Sequence, residues 1–382
     1  MNSRVAIEPC SSYQADELYT SIKKTIEAAG DLDVKGKRLL LKPNIVFDAA
    51  PEKAVCTHPE FMAAAIRLFK DMGAKHIYAG DSPGLQMPGF SANVSGIGDA
   101  ATKNGAEWVD FTREKAELSY PEAHTIKKFT LTKIIKDIDI IVNLPKLKTH
   151  QLMCYTGAMK NLFGLIPSAA KSSFHVRCPS QKTFASMIVD LNAAINNIED
   201  LQVYNIMDAV IGMEGPGPAA GTPRQLGYVL SSPNALAMDI AACRIIAYPP
   251  ELIPINKNAL ERKIWLNSIT DIEYPLLNPS DLCVPDFNKI PIKKAAPQLL
   301  NFILPKPLRN LLESFAPRPV INDKVCMRCL DCEKICASRA ITTDGKTNNI
   351  LINYRDCIRC FCCHEICKFN AIAITKKPAG NK

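Results

Sequence analysis

The stretch Ile138-Asp139-Ile140-Ile141-Val142-Asn143-Leu144-Pro145-Lys146-Leu147-Lys148-Thr149-His150 decides how most of this chain is read. A short apolar run leads directly into a polar segment with two lysines and a histidine. Strands covered on both faces read as continuous apolar runs. In open α/β sheets, ligands collect beyond the carboxyl ends of such strands. Ile138 to Val142 is therefore expected as a strand, and Asn143 to His150 as the functional loop that leaves it.

The same alternation extends to either side. Arg38 to Leu41, His76 to Ala79, Glu107 to Phe111, Val203 to Met207 and Tyr228 to Leu230 read as strands. Pro59 to Met72 and Thr183 to Asn197 read as helices, the first with Thr57 as N-cap and Glu60 completing a capping box. Strands alternating with helices predict an α/β domain with a mostly parallel sheet over residues 1–284.

The predicted strand ends carry the chemistry. His150, Lys146, Lys148, Lys160 and Asp81 are the candidate catalytic residues. Lys42, Asn44, Asn161, Asp208 and Glu214 are candidates for binding substrate, and Asp239 opens a nearby helix. Lysines around a pocket suit a carboxylate or phosphate, and the histidine and carboxylates suit proton transfer. Any single Lys or Asp in a loop is as readily explained by solvation, and Asp239 by a helix N-terminus. The Lys146-x-Lys148-x-His150 group is more specific, because it directly follows an apolar strand.

These segments also carry a family likeness. Lys42-Pro43-Asn44, Thr57-His58-Pro59, Gly80-Asp81-Ser82, Asn143 to His150, Lys160-Asn161 and Glu214-Gly215-Pro216-Gly217 resemble the signature segments of domain-of-unknown-function family 362. The resemblance runs over roughly residues 4–280 and implies functional loops, with a ferredoxin-type domain often attached. It implies no substrate.

Fifteen cysteines are many for a chain with no signal-peptide-like start and no apolar run near the ~18 residues that span a bilayer. A cytoplasmic location is expected, where structural disulfides are rare and clustered cysteines bind metal. Eight of them form two copies of one spacing, 31 residues apart: Cys326-x2-Cys329-x2-Cys332-x3-Cys336 and Cys357-x2-Cys360-x2-Cys363-x3-Cys367. Zinc sites use paired Cys-x2-Cys separated by a longer loop, so two four-cysteine runs fit zinc badly. The spacing suits cubane iron–sulfur clusters. From Asn322 to Thr375 the chain resembles a bacterial-type two-cluster 4Fe-4S ferredoxin, a small α+β fold. That resemblance implies crossed ligand sets: Cys326, Cys329, Cys332 and Cys367 for one cluster, and Cys357, Cys360, Cys363 and Cys336 for the other. The proline usual after the fourth cysteine is replaced by Ala337 and Lys368. Cys362 is a spare thiol, or a substitute for Cys363.

Three units are thus expected: residues 1–284, a proline-rich linker over 285–321, and the cysteine domain over 322–382. Gln298 to Phe315 in the linker reads as an amphipathic stretch, either packed on a domain or docking a membrane surface or partner. Gly96-Ile97-Gly98-Asp99-Ala100-Ala101 matches a loose dinucleotide fingerprint but lacks the preceding strand. No Walker A, G-x-S-x-G or H-E-x-x-H sequence is present. The net charge of +8 shrinks to about +4 if each cluster with its thiolates adds about −2. The basic residues are dispersed, so nucleic-acid binding is not expected. The expected function is a ferredoxin-dependent iron–sulfur oxidoreductase. It would take electrons from a redox partner protein through two 4Fe-4S clusters to an anionic small molecule. The alternative is a non-enzymatic electron carrier or redox-sensing adaptor.

Overall fold

A computed structural model of the chain describes residues 2–84, 92–292, 317–345 and 347–375. In chain order its strands are β1 (Ala6–Pro9), β2 (Arg38–Pro43), β3 (His76–Ala79), β4 (Glu107–Trp108), β5 (Lys115–Ser119), β6 (Lys128–Thr132), β7 (Ile140–Leu144), β8 (Lys146–His150), β9 (Cys154–Thr156), β10 (Gln202–Glu214), β11 (Thr222–Ser232), β12 (Arg318–Ile321), β13 (Ile341–Thr343), β14 (Ile350–Ile352) and β15 (Ile372–Thr375). The main sheet runs β1-β11-β10-β7-β2-β3-β4. From β10 to β4 all neighbours are parallel, and β11 runs against both β10 and β1. The protein is a mixed α/β structure with a mostly parallel central sheet.

The apolar runs at the centre follow from burial on both faces. Leu40 and Ile141 join one core with the helices Gln181–Asn196 and Ala235–Ile245. Leu39, Leu41 and Val142 join a second core with the helices Ala15–Ala29 and Pro59–Asp71. The period-2 alternation of strand side chains thus feeds two cores at once.

Three expectations change. Asn143 to His150 is not a loop: after Pro145 the chain resumes as β8. Pro145 has no N–H for a ladder, but its carbonyl accepts from Asp208 N at 2.9 Å. The long strand β10 therefore pairs first with β7 and then with β8, and the paired backbone lets polar side chains sit in a buried strand. The cap of Pro59–Asp71 is His58, whose Nδ1 accepts from Glu60 N, because Thr57 Oγ1 is already bound to Leu144 O and Asn44 N. The strand expected over Glu107 to Phe111 ends at Trp108.

The two cysteine runs fold alike. Non-glycine residues with positive φ recur 31 residues apart: Arg328 and Arg359 (both 54°), Leu330 (66°) and Phe361 (65°), Arg339 (54°) and Asn370 (52°). Such backbone is uncommon for non-glycine residues, so its repetition marks one motif used twice. β12 pairs with β15 and β13 with β14. Arg318–Ile321, in the stretch expected to be linker, is thus part of this unit's sheet, with Pro319 tolerated on an edge strand. The amphipathic stretch Gln298 to Phe315 lies outside the described residues. Among the described residues no helix is long and apolar enough to cross a membrane.

Candidate functional site

The carboxyl ends of β2, β3 and β7 point to one side of the sheet, and the cysteine-bearing segment packs over them. Lys368 pairs with Asp48 at 2.7 Å, and His364 Nε2 faces Pro216 O at 3.1 Å. Between the two lies a cavity of about 130 Å³. Its floor and sides include Lys42, Asn44, Asp81, Lys148, His150, Lys160, Asn161, Phe163, Lys171, His175 and Phe184, and its roof is Ile335, Cys362, Glu365 and Ile366.

Each side chain is placed by its element. Lys42 Nζ donates to Asp81 Oδ1 at 2.8 Å, and Asp81 Oδ2 accepts from Ile45 N at 2.7 Å. A Cβ on Gly164 would collide with both Lys42 Nζ and the Asp81 carboxylate, so only glycine lets that turn lie over the pair. Lys148 Nζ donates to Asn44 Oδ1 at 2.5 Å and Val55 O at 2.6 Å. Asn44 Nδ2 donates to Asn161 Oδ1 (2.9 Å), Asn161 to Asn143 (2.8 Å), and Asn143 to Asn205 (2.8 Å). This amide relay fixes the strand ends against one another. Asp239 accepts from Ala158 N and Met159 N at 2.6 and 3.0 Å, capping the short helix that carries Lys160 and Asn161. Burial raises Asp239 to about 7.

Some cavity groups have no hydrogen-bond partner among the described residues. His150 Nδ1 accepts from Leu152 N at 3.1 Å, which leaves the proton of the neutral ring on Nε2. That Nε2 lies 3.2 Å from Glu365 Oε1, yet neither atom makes an aligned hydrogen bond. His175 Nδ1 also has no hydrogen-bond partner; its ring stacks on Phe184, and it lies with Cys360 and Cys362 in a group whose ligand atoms are all within 4.8 Å. No hydrogen bond or ion pair joins Lys160 Nζ to the described residues. Burial pushes Lys148 and Lys171 down to about 7 and lowers Lys160, which Glu365 partly offsets. Burial raises Glu365 and lowers His150 well below the usual histidine value.

Lys42, Asn44, Asp81, Lys148, His150, Lys160 and Asn161 are thus brought together, as expected from the strand-end rule. Three expected residues are not. Lys146 and Asp208 are not in the cavity lining and pair with each other at 2.8 Å, with Tyr13 Oη bonded to both. Glu214 accepts from Asn288 N at 3.0 Å and lies outside the lining. Sequence reasoning missed Lys171, His175 and Glu365. The first two are one helical turn apart on the helix Ser168–Arg177, a spacing that puts them on one face.

The cysteines enclose two further small cavities. One is lined by Cys326, Cys329, Cys332 and Cys367; the other by Cys336, Cys357, Cys360 and Cys363, with Cys362. Ala340 N donates to Cys336 Sγ and Ala371 N to Cys367 Sγ, both at 3.2 Å. Cys362 lines both the second of these cavities and the lysine cavity.

The model of the family described as "Domain of unknown function (DUF362)" matches residues 39–244. The chain belongs to this family. The matched region contains the cation-bearing floor of the cavity and none of the two cysteine runs. A "Thylakoid-associated protein" of Synechocystis sp. is 30% identical over 320 residues, 82% of this chain and 95% of that protein. Similarity to solved structures is weaker. A Thermotoga maritima protein aligns with a TM-score of 0.38, 13% identity, and 57% and 55% of the two chains covered. The lactate racemase apoprotein of Thermoanaerobacterium thermosaccharolyticum aligns with a TM-score of 0.34, 13% identity, and 55% and 52% covered. The chain thus spans about half the length of the solved structures it matches.

Proposed function

We propose that this member of the DUF362 family is an iron–sulfur oxidoreductase that reduces an anionic small molecule in the cavity beneath its cysteine-rich segment. The observation that carries this reading is Cys362, which lines both the second cysteine cavity and the lysine cavity.

The cysteines fit cubane clusters. Each cavity has the four thiols of one crossed set, the second with Cys362 in addition, and a backbone N–H aims at the fourth sulfur of each run, a bond that favours thiolate over thiol. Bound there, two 4Fe-4S clusters would supply one-electron storage and transfer. The fit to zinc is poorer, since two near-identical four-thiol cavities lie side by side in one repeated fold.

The rest is done by the chain's own side chains. Lys148, Lys160 and Lys171 hold the anion. His150 Nε2–H and Glu365 Oε1 lie 3.2 Å apart in the cavity lining, where they hold a proton for transfer. Asn44 and Asn161 keep the lysines in place. Phe163 and Phe184 below and Ile366 above give the cavity apolar surface. Reduction takes two electrons, delivered singly by a low-potential carrier protein, and two protons, and saturates one double bond. A non-enzymatic carrier would not need a polar cavity beside its redox centre.

The test is anaerobic isolation of the full chain with iron and sulfide counting. About eight of each per chain are expected, falling to about four in Cys357→Ala. Ligand released from the protein, weighed before and after photoreduction, should gain the mass of two hydrogens. Zinc in place of iron, or a released ligand unchanged by reduction, overturns the reading.

A further inference from the structure

We infer that His175 is a positioning residue for the second cluster: its ring N–H donates to a sulfur at the Cys360 corner and favours the reduced form of that cluster. This rests on reading the cysteines as cluster ligands. It adds a part for the α/β domain in deciding where the electron rests.

The geometry is built by packing. A ring nitrogen of His175 and the sulfurs of Cys360 and Cys362 all lie within 4.8 Å of one another. The ring is buried and stacks on Phe184, with centroids 4.5 Å apart and planes at 15°. His175 and Phe184 stand on successive helices, Ser168–Arg177 and Gln181–Asn196, so the α/β domain aims the ring. Its Nδ1 is buried with no hydrogen-bond partner among the described residues. Leaving such a group unpaired is costly. A thiolate or sulfide sulfur offers lone pairs and no hydrogen, so the tautomer that suits it carries the proton on the facing nitrogen.

The repeat supplies a comparison. At the 31-residue offset Cys329 matches Cys360, and Asp331 matches Cys362. Cys329 is exposed, and Asp331 brings a carboxylate to it. Cys360 is half-buried, and Cys362 sets a thiol against it. Among the described residues the first run meets no histidine in this way. Reduction adds one negative charge to a cluster, and hydrogen bonds to its sulfurs and nearby charges set its potential. A donor favours the reduced form, and a carboxylate the oxidised one. Two alike sets of thiols thus stand in unlike surroundings, and the set with the histidine is the one whose Cys362 borders the lysine cavity.

The experiment is a redox titration of the full-length, anaerobically isolated chain, followed by electron paramagnetic resonance, with iron counted in the same samples. His175→Leu and His175→Asn are close in shape, and only the asparagine keeps an N–H. His175→Leu should retain about eight irons. It should disfavour reduction of one cluster by about tenfold or more, a shift of about 59 mV towards negative potential, and leave the other cluster unmoved. His175→Asn should recover most of that shift. In Cys357→Ala, which keeps the first cluster, adding His175→Leu should change nothing. Isotope-labelled histidine gives a readout on the unaltered chain: the reduced cluster should show a weak nitrogen coupling that is absent from His175→Asn. Equal shifts of both clusters, no difference between the leucine and asparagine variants, a shift that persists in Cys357→Ala, or no such coupling overturns the inference. Loss of about four irons in His175→Leu, or a coupling as strong as that of a bound nitrogen, makes His175 a ligand and overturns it too. A full iron count with unmoved potentials overturns this inference alone; a chain isolated without iron overturns the redox reading with it.

Discussion

β8 carries two lysines two residues apart, and they end in opposite circumstances. Lys146 is sealed in a satisfied cluster: Asp208 at 2.8 Å, Tyr13 Oη at 2.7 Å, with the Tyr13 ring stacked on His58 at 3.6 Å. Among the described residues Lys148 donates to neutral oxygens, at the edge of an open cavity. Both are buried and both are lowered, chiefly by desolvation. What separates them is charge balance. Lys146 has its counter-ion in the fold and works as structure. Lys148 has no counter-ion within hydrogen-bond reach among the described residues, and a cavity opens beside it.

The contrast has measurable consequences. The largest concerns the closed cluster: Asp208→Asn strands the Lys146 ammonium and should cost about 3–5 kcal/mol in chemical denaturation. A loss under about 1 kcal/mol would show that Lys146 is not held as an ion pair. Replacing both partners, Lys146→Met with Asp208→Leu, should recover most of that loss, because the desolvation of two charges disappears with them. If the double variant is as unstable as the single one, the Tyr13 and His58 contacts matter more than charge.

The open site should behave with the opposite sign. Lys148 and Lys171 sit at about 7 in the folded chain, below the ordinary 10.5 of an unfolded lysine. Between those values the unfolded chain binds more protons, so stability should rise with pH. The penalty is complete below about 7 and relieved towards 10.5, by up to about 1.4 kcal/mol per pH unit for each group. Lys171→Met should flatten this slope. A slope unchanged by the substitution would mean that Lys171 is already neutralised. Smallest is Tyr13→Phe, which removes one hydroxyl from the closed cluster and should cost about 1–2 kcal/mol without changing that slope. A flattened slope in that variant would join the two regions that the structure separates.

Much of the cavity was legible from one rule. Lys42, Asn44 and Asp81 follow apolar strands, and the carboxyl ends of parallel strands lie on one side of a sheet. Lys146 lies outside the cavity lining for a reason the sequence does not display: a lysine just past an apolar strand looks the same whether or not a carboxylate 62 residues away will neutralise it. Asp208 and Glu214 carried the same ambiguity. Lys171 and His175 lie on a helix with no strong amphipathic pattern, so only their one-turn spacing hinted at a shared face. Glu365 looked like an ordinary acidic residue between two cysteines.

The sequence by itself determined the α/β alternation, the family, and the two cysteine runs, because periodicity and spacing are local properties that each element expresses alone. Tertiary structure decided which charges meet. It paired Lys146 with Asp208, gathered Lys148, Lys160 and Lys171 around one cavity, and set Cys362 and Glu365 over strand ends more than two hundred residues earlier in the chain. Electrostatic balance depends on distance and burial, and neither exists until the elements have packed.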